Sequence, residues 1–349
     1  MPDSLVVQAA RRFSAAFDRR EADTFLTLSS YWSGAERRLS AQIDALALLI
    51  ADRRRSGLAV TDGAIVRLER YQELLIQLAS EWSSFAPTAA AAIDQRRLAE
   101  AEEGLRASQF TLRIAQEDAG LRVGFDRLNV EQARVVAGSM AGDPLGALLA
   151  DAFGESLPLI RQRIFEAAAL GHNPRKLARE ITSASRVPLQ RALVIARTET
   201  IRAYRETARE QYEASGVVKK YKRLARKAAR TCINCLTLDG TVYLTSYEFA
   251  EHPSGRCTLL PIVEGAPVPA WALTGADYFA RLPESEQRKR LGAGRFELYK
   301  SGGMGLRDLV EIREDPTWGG SPRLIPLRDL RAPGYRRPRQ PFEIAEGGE

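Results

Sequence analysis

Three cysteines and one histidine form the densest group of metal-ligating residue types in the chain. Cys232 and Cys235 are separated by two residues, His252 follows after a further 16, and Cys257 comes five positions later. Three thiolates and one imidazole have the number and type of ligands found in closed tetrahedral zinc sites, and the short first spacing lets both thiolates face one ion. The same residues also allow a metal-free arrangement, in which cysteines pair or pack in a small core and His252 caps a turn. Zinc is the one candidate cofactor.

Residues for catalysis are scarce. A zinc ion with four protein ligands has no open position for a substrate. The chain has only two histidines, His172 and His252, and His172 lies in a predicted turn before a proline. The chain therefore offers few residues from which a histidine-dependent nucleophilic centre could be built. No glycine-rich phosphate-binding loop is evident either. The sequence predicts a non-enzymatic protein with no catalytic residue and no small-molecule substrate.

A run of cations lies just before the cysteines, in a stretch from 214 to 238 that contains no acidic residue. Such a run creates a positive field that suits the phosphates of double-stranded DNA or an acidic protein surface, although it is also compatible with a solvated face. If 217–224 is a strand, alternate cations point to opposite faces, so they cannot all contact one ligand. The seven candidate nucleic-acid-binding residues are Lys219, Lys220, Lys222, Arg223, Arg226, Lys227 and Arg230.

The elements that must position these residues begin with helices. Up to about residue 182 the chain is rich in Ala, Leu, Arg and Glu at helical spacing, which predicts a helical scaffold. Pro87 interrupts the pattern and predicts a loop. A separate helix is expected to begin near Pro188 and to end at Gly216, a suitable C-cap. Arg197 and Glu199 lie inside it, and their two-residue separation favours separate packing contacts over an acid/base pair.

Short β-like runs follow Gly216. Residues 217–224 and 241–244 are predicted strands, and the Asp239-Gly240 turn opens the second. Beyond residue 266 we expect short helices at 277–282, 284–291 and 306–312. The predicted fold class is α+β and predominantly helical, with a long helical N-terminal part, a small core with short β-hairpins and short helices in the C-terminal part.

Composition narrows the class of protein without identifying it. The 349 residues are 45% hydrophobic, which is enough for a core, and the formal net charge of +7 suits an acidic partner only weakly. The N-terminus lacks the pattern of a secretory signal, and the best apolar stretch is too short to cross a bilayer. The three cysteines are clustered, which fits a reducing compartment better than a disulfide framework.

Taken in order, these motifs resemble the phage Mu F-like family of minor head proteins. The family elements are an Arg-Thr-Glu helix, a glycine turn with a basic strand, an Arg-Thr-Cys-x2-Cys segment, an Asp-Gly turn and a closing His-Pro segment that ends in Leu-x-Pro. The resemblance covers roughly residues 125–263, with sharp motifs only at 195–261. It assigns to the family motif Arg197, Thr198, Glu199, Asp239 and Gly240.

The chain departs from the family pattern at two positions. Ala228 stands where relatives usually carry an acidic residue, and Gly255 stands where they usually carry a cysteine. The first change removes a polar side chain, and the second removes a possible metal ligand. The four candidate metal ligands are kept.

The resemblance implies a minor capsid protein that acts in head assembly and not in catalysis. The implied partners are the portal and major capsid proteins, with double-stranded DNA as a further candidate, and no membrane. The implied location is the virion head, with the host cytoplasm during assembly. The corresponding division is a helical region at 1–120, a Mu F-like domain at 121–265, a short-helix region at 266–330 and a flexible tail at 331–349. The alternative is a nucleic-acid-binding protein that combines the basic strand with a zinc-ribbon-like Cys/His module.

Overall fold

A computed structural model describes residues 2–139, 145–332 and 334–335. The predicted flexible tail lies almost entirely outside these described residues. Helices predominate, as expected, and none of those in the described ranges is long and apolar enough to cross a membrane. The α-helices are α1 (Leu5–Arg55), α2 (Asp62–Val66), α3 (Glu69–Asp118), α4 (Val130–Ser139), α5 (Leu145–Ala169), α6 (Pro174–Ser185), α7 (Val187–Ala214), α8 (Ile233–Thr237), α9 (Gly275–Ala280), α10 (Glu284–Leu291), α11 (Ala293–Lys300) and α12 (Leu327–Leu330).

The chain divides into two compact units, each assembled from separated stretches. The first unit comprises Met1–Asp18, Arg97–Gly142 and Thr198–Glu349, and the second comprises Arg19–Arg96 and Asp143–Arg197. Three long helices, α1, α3 and α7, therefore contribute residues to both units. The division into four consecutive segments stays a prediction, because the units follow contacts in space and not the order of the sequence.

The first unit contains an antiparallel three-stranded sheet in the order β2-β1-β3. Its strands are β1 (Val218–Leu224), β2 (Val242–Leu244) and β3 (Thr258–Val263). In the centre, Tyr221 of β1 pairs with Tyr243 of β2, and their rings stack with centroids 5.2 Å apart. Both rings are buried, and Phe249 packs against Tyr221 on the same side. The predicted strands at 217–224 and 241–244 are confirmed, whereas β3 was not predicted.

The C-terminal part of the first unit combines short helices with a second sheet. The helices predicted at 277–282 and 284–291 are confirmed within a few residues. The helix predicted at 306–312 is wrong in its second half: a 3-10 helix covers only Leu306–Leu309, and β4 (Val310–Asp315) then pairs with β5 (Gly319–Leu324). Leu309 and Val310 are both buried, so apolar spacing alone did not distinguish one helical turn from the start of a strand.

The second unit shows how packing overrides a helix breaker. The loop predicted at Pro87 is wrong, because α3 continues through this residue. Trp32 packs against Trp82 and Phe85 with ring centroids 5.7 and 5.3 Å away, and the indole of Trp82 donates to the carbonyl of Leu149 at 2.9 Å. Burial of these aromatic rings on the turn before Pro87 offsets the roughly 3 kcal/mol that an internal proline costs a helix.

Candidate metal centre

The structure places Cys232, Cys235 and His252 together in the first unit. Cys232 is the N-cap of α8, and its sulfur accepts from the backbone N–H of Cys235. The Nε2 atom of His252 lies 3.0 Å from Sγ of Cys232 and 3.2 Å from Sγ of Cys235. The other ring nitrogen, Nδ1, is 2.9 Å from the carbonyl oxygen of Pro253. A proton on Nδ1 would donate to this carbonyl and leave Nε2 directed at the two sulfurs.

Cys257, at the entrance to β3, completes the group of sulfurs. Cys235, Glu251 and Cys257 also place their ligand atoms within 4.8 Å of one another, as do Cys232, Cys235 and His252. Cys235 is common to both groups. None of the three cysteines is in a disulfide. Three of the residues predicted as metal ligands, Cys232, Cys235 and His252, therefore lie together, and Cys257 is connected to them through Cys235. Glu251 is a further group that the sequence analysis did not identify.

Two buried arginines hold Glu251 in place. Its Oε2 atom accepts from Arg223 at 2.8 Å and from Arg205 at 3.3 Å, and all three side chains are at most 4% exposed. Both guanidinium groups also lie near the ring of Phe249, at 4.6 Å for Arg223 and 5.2 Å for Arg205. The other carboxylate oxygen, Oε1, accepts from the backbone N–H of His252 at 3.1 Å. This network couples β1 and α7 to the loop that carries His252.

The same contacts shift the pKa values of the cluster. A hydrogen bond with Cys235 lowers the pKa of Cys232 most strongly. Burial opposes this shift, but a further hydrogen bond with His252 adds to it, and the pKa falls to about 4. Burial disfavours the charged form of His252, but its contacts with Cys232 and Glu251 raise its pKa to about 9. Burial also opposes ionisation of Glu251, yet Arg223, His252 and Arg205 together lower its pKa to about 2. The pair Cys232 and His252 therefore favours a thiolate beside an imidazolium when no metal is bound.

Gly255 lies against the Glu251 side chain. A Cβ atom at position 255 would overlap the carboxyl group of Glu251. The space beside position 255, where the family resemblance leads us to expect a cysteine, is occupied by a carboxylate from the same loop. Glycine at 255 is the residue that leaves room for the Glu251 side chain.

Asp239 organises the other end of the sheet. Its Oδ1 accepts from the backbone N–H of Ala225 at 2.6 Å, and its Oδ2 accepts from the indole of Trp271 at 2.9 Å and from the backbone N–H of Gly275 at 2.8 Å. The ammonium group of Lys227 lies 2.9 Å from Oδ2. Gly240 follows with a φ of 83°, a left-handed conformation that suits glycine. The Asp-Gly turn is thus a packed structural junction.

The three residues of the Arg-Thr-Glu motif have separate surroundings. In the second unit, Arg197 pairs with Glu21 and lies over the ring of Phe25. In the first unit, the hydroxyl of Thr198 accepts from the backbone N–H of Ser254 at 3.0 Å, which ties α7 to the His252 loop. Glu199 is buried, and this burial raises its pKa against the opposing effect of two neighbouring arginines.

The basic run is split between surface and interior. Lys219, Arg226 and Arg230 are exposed, and Lys220 is half-buried. Arg226 pairs with Asp18 of the same unit. Arg223 is completely buried against Glu251, and Lys227 is almost buried against Asp239.

Lys222, the remaining cation of the run, is half-buried beside Trp271. Its ammonium group donates to the carbonyl of Pro269 at 2.9 Å and lies 4.5 Å from the centre of the Trp271 ring. The seven cations therefore do not form one continuous surface.

Sequence reasoning missed Arg205 and Glu251 and treated Arg223 as a surface residue. Two signals were available. Arg223 is two positions from Tyr221 on β1, so both side chains point to the same face of the sheet. Arg205 is seven positions from Thr198, which places both on one face of α7. Neither signal shows that Glu251 meets both arginines, because that contact joins residues distant in sequence.

The comparisons with known proteins agree with the motif analysis. Residues 159–260 match the family described as Phage Mu protein F like protein. The matched range includes the C-terminal part of α5, all of α6 and α7, the first two strands and all four candidate ligands. No curated protein and no solved structure matches the chain significantly. The family indicates a phage head morphogenesis protein. Residues 159–260 are therefore similar to the phage Mu F-like family.

Proposed function

We propose that this protein is a minor component of a phage head, with a structural role in assembly and without catalytic activity. The observation that carries the proposal is the mutual pairing of the polar motif side chains. Glu251 is held by Arg205 and Arg223, and Asp239 by backbone N–H groups and Lys227. Residues that satisfy one another in this way stabilise a fold. Arg205 and Glu251 also line a cavity of about 480 Å³, but their charged groups are paired with each other there.

The proposed partners are the portal and the major capsid protein. The family match supports a role among phage structural proteins, and head proteins act by binding other head proteins. The second unit adds long helical surfaces with exposed apolar side chains, including Leu26, Leu48 and Ile76. Exposed apolar side chains are a feature of surfaces that bind other proteins. We assign to this protein a place in the virion and, before that, in the cytoplasm of the host during assembly.

Heads assembled with and without the protein test this role. Heads that lack it should show reduced portal incorporation, genome content or infectivity, and wild-type protein supplied in trans should restore them. Co-expression with the cognate portal should yield a complex that survives purification. Normal heads and normal infectivity without the protein would reject the proposed role, and a normal yield of complex with an unrelated portal would reject its specificity.

Contact with packaged double-stranded DNA is the second candidate function. It is favoured by the exposure of Lys219, Arg226 and Arg230 in a stretch without acidic residues. Each phosphate neutralised on duplex DNA contributes about −0.9 to the slope of log K against log salt.

Salt titrations of the full-length protein test the contact with DNA. Replacement of Lys219, Lys220 and Arg230 by Ala should weaken binding at low salt and make the slope shallower, by at most roughly 0.9 for each phosphate that is no longer neutralised. The matched control is Lys176→Ala, an exposed cation in the second unit, which should leave the slope unchanged. Equal slopes for wild type and the triple variant would remove the basic run from the DNA-binding surface.

A further inference from the structure

We propose that the first unit holds one zinc ion bound by Cys232, Cys235, His252 and Cys257, and that Glu251 is the anchor of this site and not a ligand. The distances among Cys232, Cys235 and His252 fit a site of this kind, and Cys257, which lies beside Cys235, would have to move towards the other two to complete it. With Zn–S near 2.3 Å and Zn–N near 2.0–2.1 Å, sulfur and nitrogen ligands of a tetrahedral zinc lie about 3.5 Å apart. Nε2 of His252 is 3.0 and 3.2 Å from the two nearest sulfurs, so a small outward movement admits the ion.

The surroundings of His252 are those of a zinc ligand. A histidine that binds a metal through one nitrogen generally donates from the other to a carbonyl or carboxylate, which fixes the ring orientation. Nδ1 of His252 is 2.9 Å from the Pro253 carbonyl oxygen, which leaves Nε2 for the ion. The Cys-x2-Cys pair is also arranged for zinc binding, because Cys232 caps α8 and thereby presents both sulfurs to the same side.

Charge balance selects Cys257 over Glu251 as the fourth ligand. Arg205, Arg223 and Glu251 together carry one surplus positive charge in the interior, and an uncompensated buried charge is costly. Zinc with three thiolates and a neutral imidazole carries one negative charge, which cancels this surplus. If Glu251 replaced a Cys257 that remained a thiol, the surplus would persist. Glu206, the next acidic residue on α7, cannot cancel the surplus charge instead, because it is already paired with Arg209.

The position of Glu251 leads to the same assignment. Its Oε2 atom is occupied by both arginines, and its Oε1 atom accepts from the backbone N–H of His252. Oε1 lies 3.5 Å from Nε2 of His252 and 3.7 Å from Sγ of Cys235, so binding of the ion through Oε1 would compete with its hydrogen bond from the backbone N–H of His252. In its present place it orients the His252 loop from outside the ligand set, a role in which removal of the group costs metal affinity without abolishing it.

The proton balance of zinc binding tests the ligand set directly. Zinc binding requires deprotonated thiols, so it releases protons. Calorimetric titration of zinc into the reduced full-length protein at pH 7, repeated in buffers of different ionisation enthalpy, should give one ion per chain and release about three protons. Two come from two thiols and one from the Cys232–His252 pair, whichever of its two groups holds that proton. A value of about two would show that one sulfur is outside the site and would overturn the assignment of Cys257. Failure to bind zinc under these conditions would overturn the site itself.

Variants and a spectroscopic probe complete the test. Cys257→Ser should lower zinc affinity by at least about 100-fold, beyond the effect expected of a residue outside the ligand set, and should reduce the thiolate-to-metal absorption of the cobalt-substituted protein. The matched control is His172→Ala, which removes the only other histidine and should leave both measurements unchanged. If Glu251→Gln, and not Cys257→Ser, reduces the cobalt–thiolate spectrum and the zinc affinity, Glu251 is the ligand and the proposal is wrong. A disulfide between two of the three cysteines in protein isolated from virions would also overturn it.

Discussion

Glu251 and Arg223 form an ion pair that is completely enclosed by the first unit. The carboxylate oxygen lies 2.8 Å from the guanidinium nitrogen, and the side chains are 4% and 0% exposed. Arg223 also donates to the carbonyl of Ala250 at 2.7 Å. The pair therefore joins the central strand β1 to the loop that leads to His252.

Breaking this pair should strongly destabilise the protein. Removal of one partner leaves the other charge buried without compensation, a cost of about 3–5 kcal/mol. We expect Arg223→Met to lower the free energy of unfolding in urea by this amount. Lys219→Met, on the same strand but exposed, is the control and should change it by less than about 0.5 kcal/mol. Similar values for both variants would show that the pair contributes little.

Gly255 should tolerate no larger residue. Alanine at this position would overlap the Glu251 side chain, which cannot move away without losing its arginine partners. We expect Gly255→Ala to cost about 1–3 kcal/mol, as for overpacking in a core. Gly124→Ala is the matched control, because a Cβ atom there meets nothing within 4 Å. A Gly255→Ala protein as stable as the control would mean that the loop adjusts freely.

Asp239 should be needed for the junction between β1, α8 and α9. Asp239→Asn keeps the size of the side chain but removes the charge that pairs with Lys227 and replaces an acceptor oxygen with a donor. Because hydrogen bonds to a charged group contribute about 1.5–3 kcal/mol each, we expect a loss of at least this size in urea unfolding. Asp151→Asn, at an exposed position in the second unit, should have almost no effect. An equal effect of the two changes would contradict the central role of Asp239.

The ion pair between Arg38 and Glu81 should make stability depend on pH in the acid range. Its closest contact is 2.5 Å, and hydrogen bonding to Arg38 lowers the pKa of Glu81 below its ordinary value of 4.5. A lowered folded-state pKa stabilises the protein above the unfolded-state value, and this stabilisation is lost as the pH falls through the folded-state value.

Urea unfolding of wild type and Glu81→Gln between pH 7 and pH 3 measures this effect. The difference should be small at neutral pH, since solvent screens a pair whose arginine is largely exposed, and it should shrink below about pH 4.5. Arg38→Met should remove the same pH-dependent part. A difference that grows towards low pH would contradict the sign of the shift.

Much of the architecture could be predicted from local patterns. The strands around Tyr221 and Tyr243, the helix that ends before Gly216 and the turn at Asp239 and Gly240 all follow from spacing and turn chemistry. Where the prediction was wrong, tertiary packing decided. Pro87 stays inside a helix because neighbouring aromatic side chains are buried on it, and residues 310–315 form a strand because a partner strand lies beside them.

The sequence by itself determined the resemblance to the phage Mu F-like family and the identity of the candidate ligands, because both depend on residue types at short, ordered spacings. Only the tertiary structure decided which polar residues are available to a partner. Arg223 belongs to a basic run in the sequence, yet the alternation of β1 turns it inward, where Glu251 from a distant loop and Arg205 from α7 meet it. Such long-range pairing of buried charges depends on the packing of whole elements, and this is why a continuous basic run in the sequence is divided in space between exposed cations and an arginine buried against Glu251.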